Sequence, residues 1–193
     1  MKTEKINLRL GAITLIVLLA ALSRLIPHPA NFSPIGAMAI FGAGYYSKRY
    51  LAFLIPIASM WISDLLLNNL VYGEFFDHFV WFYKGSIFTY GAFALIVLVS
   101  TFFLKKINVK YLAFLAILSS IIFFIVSNFG VWVSSGMYPQ TLEGLSACYI
   151  AGLPFLKNTI MGDFVYTAVM FGSFELSAKY IPQLQLAYYN TSR

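Results

Sequence analysis

L-G-A-I-T-L-I-V-L-L-A-A-L-S-R-L-I, residues Leu10–Ile26, is apolar throughout and free of charge until Arg24, and Pro27-His28-Pro29 follows it. A bilayer core is crossed by about 20 apolar residues rising 1.5 Å each, so a run of this length is either a membrane span or the core of a signal peptide. A signal peptide ends in a small-residue cleavage motif, and none is present here. The run therefore reads as a first span.

Its surroundings extend that reading. The 193 residues are 60% hydrophobic and only 10% charged, against about 25% charged in an ordinary soluble domain. Apolar segments recur at roughly 8–26, 34–47, 50–70, 86–104, 110–134 and 159–180. The expectation is an all-α polytopic membrane protein: one transmembrane domain, 1–193, of six helices, with no linker or soluble appendage. The second segment is short, opens at Pro34 and is rich in glycine and alanine (Gly36, Ala37, Ala39, Gly42, Ala43, Gly44), which suits close helix packing inside a bundle.

Basic residues set the orientation. Lys2, Lys5, Arg9, Lys48, Arg49, Lys105, Lys106, Lys110, Lys179 and Arg193 fall at one set of segment ends, and Arg24, Lys84 and Lys157 at the other. The positive-inside rule then places both termini in the cytoplasm, with residues 71–85 and 135–158 outside the cell membrane. The rule also explains the net charge of +6. No basic groove accompanies that charge, so nucleic acid is not an expected partner, whereas the lipid bilayer is. The first outer connection is an aromatic interfacial belt or a lid. The second reads as a turn and a short helix capped by Thr141, ending near Gly152-Leu153-Pro154 as an interfacial or re-entrant piece.

The few polar residues inside apolar segments carry the functional reading. Arg24, Asp64 and Asp163 fall at roughly one depth. A charge there costs about 2.5–3.5 kcal/mol on insertion scales, so such groups face a protein interior or a wet cavity. Arg24 either snorkels to the headgroups or pairs with an aspartate. Trp61, Asp64 and Asn68 follow i, i+3, i+7 and share a helix face. Asn128 and Trp132, one turn apart, suit a flat polar ligand or a helix–helix contact. Asp163, one turn into the last segment, serves a pocket or simply that helix's positive end. Glu175 precedes Lys179 by four residues, the favourable order for a pair. Cys148, the single cysteine, excludes an internal disulfide and a cysteine metal cage.

Absences narrow the choice further. There is no G-x-x-x-x-G-K-[ST] loop, no H-E-x-x-H, no C-x-x-C and no G-x-S-x-G. No cofactor or metal is implied, and binding or transport fits better than catalysis. A membrane-embedded enzyme would need His28 within reach of Asp64 or Asp163.

The stretches Ser23–Tyr46, Ser127–Trp132 (S-N-F-G-V-W) and Met137–Asp163 resemble an uncharacterised family of small bacterial membrane proteins. The layout is also similar to the substrate-binding S components of energy-coupling-factor vitamin transporters. The similarity lies in six short spans, an arginine closing the first, a small-residue second span, and long outer loops before spans four and six. It implies a vitamin-like ligand in the outer half, with a transmembrane coupling subunit and ATPases as possible partners. The A-x-x-x-A docking spacing of such components is missing from the first span, though Ala39 and Ala43 have it on the second. The expected ligand-binding set is Arg24, Asn31, Asp64, Asn68, Asn128, Trp132 and Asp163. The rival reading is a scaffold of the cell envelope in which the same residues form a dry ion-pair network.

Overall fold

A computed structural model describes residues 2–104 and 106–185, with side chains from residue 8 onward. Lys105 and Arg193, both used for orientation, and the side chains of Lys2 and Lys5 lie outside what it describes. The described residues form six α-helices: α1 (Lys2–Leu22), α2 (Ile35–Tyr45), α3 (Arg49–Leu66), α4 (Ser86–Phe103), α5 (Val109–Ser134) and α6 (Leu142–Tyr180). Four stretches are long and apolar enough to cross a bilayer, Leu8–Leu25, Arg49–Val71, Ser86–Phe103 and Val109–Ser134.

Of the two remaining helices, α2 falls within the expected segment 34–47 and is buried as its small residues imply, whereas α6 departs from expectation. At 11 residues α2 is about 16 Å long, half of what a crossing needs. It is apolar all round, and Ile35 through Gly42 are all buried, so it is the axis of the core. Gly42 makes this possible: a Cβ there would lie 3.0 Å from Pro56 Cγ and 3.1 Å from the Ala52 carbonyl on α3. Phe41 and Tyr45 of α2 pack on Phe171 and Phe174 of α6 in a cluster of tilted and edge-on rings.

α6 is a single helix of 39 residues, where a short outer piece and a separate span from 159 are expected from sequence. Thr141 does cap it, its hydroxyl accepting from the Gly144 amide at 3.2 Å. The same hydroxyl and Glu143's own backbone amide hold the Glu143 carboxyl below its ordinary range, the amide having the larger effect. Gly152-Leu153-Pro154 then fails to end the helix. A proline inside a helix removes one hydrogen bond and adds a clash, a cost that packing can offset. Here α5 runs alongside, Gly152 lies directly against Asn128, and Asn158 Nδ2 donates to the Ala30 carbonyl at 2.9 Å.

α3 ends in a π-turn, Leu67–Val71, closed by the Tyr72 amide on the Leu67 carbonyl at 2.8 Å. The wider turn shifts the register, and Asn69 rather than Asn68 becomes the structural asparagine. Asn69 Nδ2 donates to the Val80 carbonyl (3.0 Å) and its Oδ1 accepts from the Val80 amide (2.7 Å). Trp61 reinforces this contact by donating to the Trp81 carbonyl and stacking on the Trp81 ring. The 71–85 connection is thus folded back on α3. Asn69→Leu should release it, raising hydrogen exchange at the Val80 amide at least about tenfold, while Asn68→Ala should leave it within twofold; equal effects would refute the assignment.

At the other end of the bundle the expected Glu175–Lys179 pair is not what forms. Tyr45 donates its hydroxyl to Glu175, and Arg9 lies over the Tyr45 and Phe174 rings while donating to the Leu184 carbonyl. A tyrosine from the packed neighbour competes successfully with a solvated lysine one turn away.

Candidate functional site

The connections α1–α2, α3–α4 and α5–α6 gather at one end of the bundle. The 3-10 turn Ser23–Leu25 carries Arg24 toward α3. Its Nη1 lies 2.7 Å from Asp64 Oδ1 and donates to Ser63 Oγ at 2.6 Å. Tyr90 of α4 donates to the second Asp64 oxygen at 2.7 Å. Asp64 is 4% exposed, so its charge is matched by one guanidinium and one phenol in the interior. Arg24 therefore pairs rather than snorkels.

Asp163 makes a different contact. It is 1% exposed in the middle of α6, not in that helix's first turn, so its own helix dipole does not account for it. Oδ2 accepts from Ser119 (2.9 Å) and Ser120 (2.6 Å) of α5. The carboxylate faces the amides of Gly36 and Ala37, although Oδ1 makes no hydrogen bond of good geometry. These are the amides an N-cap side chain would satisfy, and the residue at the cap of α2 is Pro34, which supplies none. Asp163 thus occupies the place of an N-cap side chain of α2, supplied from another helix, without a hydrogen bond to the helix end. Gly36 has no side chain because the space is taken: a Cβ there would overlap both carboxylate oxygens and lie 2.5 Å from Ser119 Oγ.

Between these two centres and the connections lies a cavity of about 540 Å³. Arg24, His28, Asn31 and Ser33 line it from the α1–α2 side, Leu67, Tyr72, Tyr83 and Thr89 from the α3–α4 side, and Phe123, Ser127 and Asn128 from α5. Met137, Tyr138, Cys148, Ala151, Gly152 and Phe155 close it from the loop before α6 and from α6 itself. The turn Pro29–Phe32 shapes one wall. The Phe32 amide bonds the Pro29 carbonyl, and Asn31 at its third position has φ 62°, a left-handed conformation asparagine tolerates. Asn128 Nδ2 donates to its own helix at Phe124, and Cys148 Sγ donates to the Asn128 carbonyl. Burial pushes the Tyr83 phenol above its ordinary value, so it faces the cavity as a neutral group.

Of the seven residues picked from sequence, Arg24, Asn31 and Asn128 line the cavity, and the other four stand outside it. Asp64 sits behind Arg24. Asn68, within the π-turn, is not part of the cavity wall. Trp132 donates to the Pro139 carbonyl and packs on Phe129, fixing the 135–141 turn rather than offering its face to a ligand. Asp163 stands at the N-cap place of α2. Tyr72, Tyr83 and Tyr138 also line the cavity without being singled out from sequence, and so does His28, which the sequence offers only as the base an enzyme would need. Their position in loops gives no periodic signal, and only their clustering near Pro and Gly marks them. The two aspartates do not bond His28, whose Nδ1 lies 3.0 Å from the Pro29 carbonyl. Among the described residues no group of His, Cys, Asp and Glu is placed to hold a metal ion.

Among the described residues, fold and site together define an all-helical protein with four membrane-length helices and a cavity of mixed polar and apolar lining under its loop-rich end. The chain belongs to a family of unknown function, DUF6580, which it matches over residues 4–184. No curated protein and no solved structure matches it.

Proposed function

We propose that this chain is a six-pass membrane protein, with both termini in the cytoplasm, that captures a small molecule in the cavity at its outer face, in the manner of a transporter's substrate-binding component. The four membrane-length helices and α6 are long enough to cross, and the buried α2, too short to span lipid, makes the sixth pass inside the bundle with its flanking loops. The ten-to-three distribution of basic residues supports the orientation. The observation that carries the reading is the cavity. At about 540 Å³ it is within the range of small-molecule sites, and its wall mixes aromatic surface with a few placed polar groups from each connection. A coupling subunit and ATPases are the partners such a component would use.

A thermal-shift screen of vitamins, their precursors and other small nutrients should yield at least one stabilising compound. At a hundredfold excess over its dissociation constant the expected stabilisation is about 2.7 kcal/mol. Ala151→Trp, which fills the cavity from an exposed position on α6, should abolish the shift without unfolding the protein. A screen without a hit, or a hit that persists in Ala151→Trp, would remove the proposal and favour the scaffold reading.

A further inference from the structure

We infer that the ligand of this cavity carries a carboxylate, or an equivalent single anion, on an apolar planar body, and that it docks on the free edge of Arg24. The inference rests on the capture reading and adds the chemical class of what is captured.

Arg24 has five N–H donors in a planar fork, and only Nη1 is engaged, by Asp64 and Ser63. Nε and Nη2 form the other edge of the guanidinium and make no hydrogen bond to the described protein, while the side chain lines the cavity at 13% exposure. An Nε–Nη2 edge matches the two oxygens of a carboxylate in parallel hydrogen bonds. Asp64 and Tyr90 act as positioning residues, since they hold the opposite edge in place.

The rest of the wall favours the same charge. No aspartate or glutamate lines the cavity; the nearest acid, Asp64, sits behind Arg24 and is paired with it, though its field reaches Tyr83. His28 is the second group there that is able to carry a positive charge. A cationic ligand would therefore meet an arginine and no acid. Tyr72, Tyr83, Tyr138 and Phe123 provide ring surface for an apolar body.

The test uses one ring system with three charges: 2-naphthoate, 2-naphthamide and the 2-naphthylmethylammonium ion, titrated into the purified full-length protein by calorimetry. The carboxylate should bind at least about tenfold more tightly than the amide, and the ammonium ion weakest of all. Arg24→Lys keeps a charge beside Asp64 but loses the fork, and should bring the carboxylate down to the affinity of the amide. Because a lone Asp64 could disturb the fold, the double variant Arg24→Gln/Asp64→Asn removes both charges and should do the same in a folded protein. Equal or tighter binding of the amide or the ammonium ion, unchanged carboxylate binding in both variants, or no binding by any of the three would overturn the inference. The screen above separates this failure from the failure of capture itself, since its hits need not be acids.

Discussion

Asp64→Ala should destabilise the folded protein by roughly 3 kcal/mol, the low end for a buried pair, because it leaves the part-buried Arg24 guanidinium without its counter-charge. The Tyr90 hydroxyl loses its acceptor at the same time. Removing both charges as Arg24→Met/Asp64→Leu should cost clearly less than Asp64→Ala alone, since nothing charged is then left behind. The measurement is a double-mutant cycle of Arg24→Met, Asp64→Leu and their combination, by unfolding in detergent micelles or bicelles. Simple additivity of the two single changes would contradict the pairing.

The second large effect belongs to Gly36. Gly36→Ala would ordinarily favour a helix by up to about 1 kcal/mol. Here the added methyl would overlap the Asp163 carboxyl group and Ser119 Oγ in a fully packed site, and it would push the Asp163 side chain away from the first turn of α2. The net expected result is a loss of about 2–3 kcal/mol. Gly11→Ala on α1, with nothing within 4 Å of its added Cβ, serves as the control and should not destabilise. Equal midpoints for the two variants would show that Asp163 does not hold α2.

These residues also show how far the sequence could be read. The need to pair Arg24 follows from the cost of a charge at membrane depth, and Asp64 at a similar height is its partner. The burial of α2 follows from its small residues. The role of Asp163 does not follow, because the helix end it serves lies more than a hundred residues earlier in the chain and only packing brings the two together. The choice between Asn68 and Asn69 turns on a single π-turn, which leaves no mark in apolar periodicity. The continuity of α6 is hidden for the opposite reason: Gly152 and Pro154 are strong local stop signals that contacts with α5 and the α1–α2 loop override. The cavity was legible as a location and much less so as a list of residues, since half of its wall comes from loops.

Native mass spectrometry of the gently purified protein, beside its Ala151→Trp variant, tests ligand capture most directly. The wild-type protein should carry a discrete small-molecule mass, absent from the variant and released on mild activation. Identical spectra with only lipid adducts, together with a wild-type cavity that admits no compound from the screen, would contradict capture and leave the polar network of α1, α3 and α4 as a structural brace.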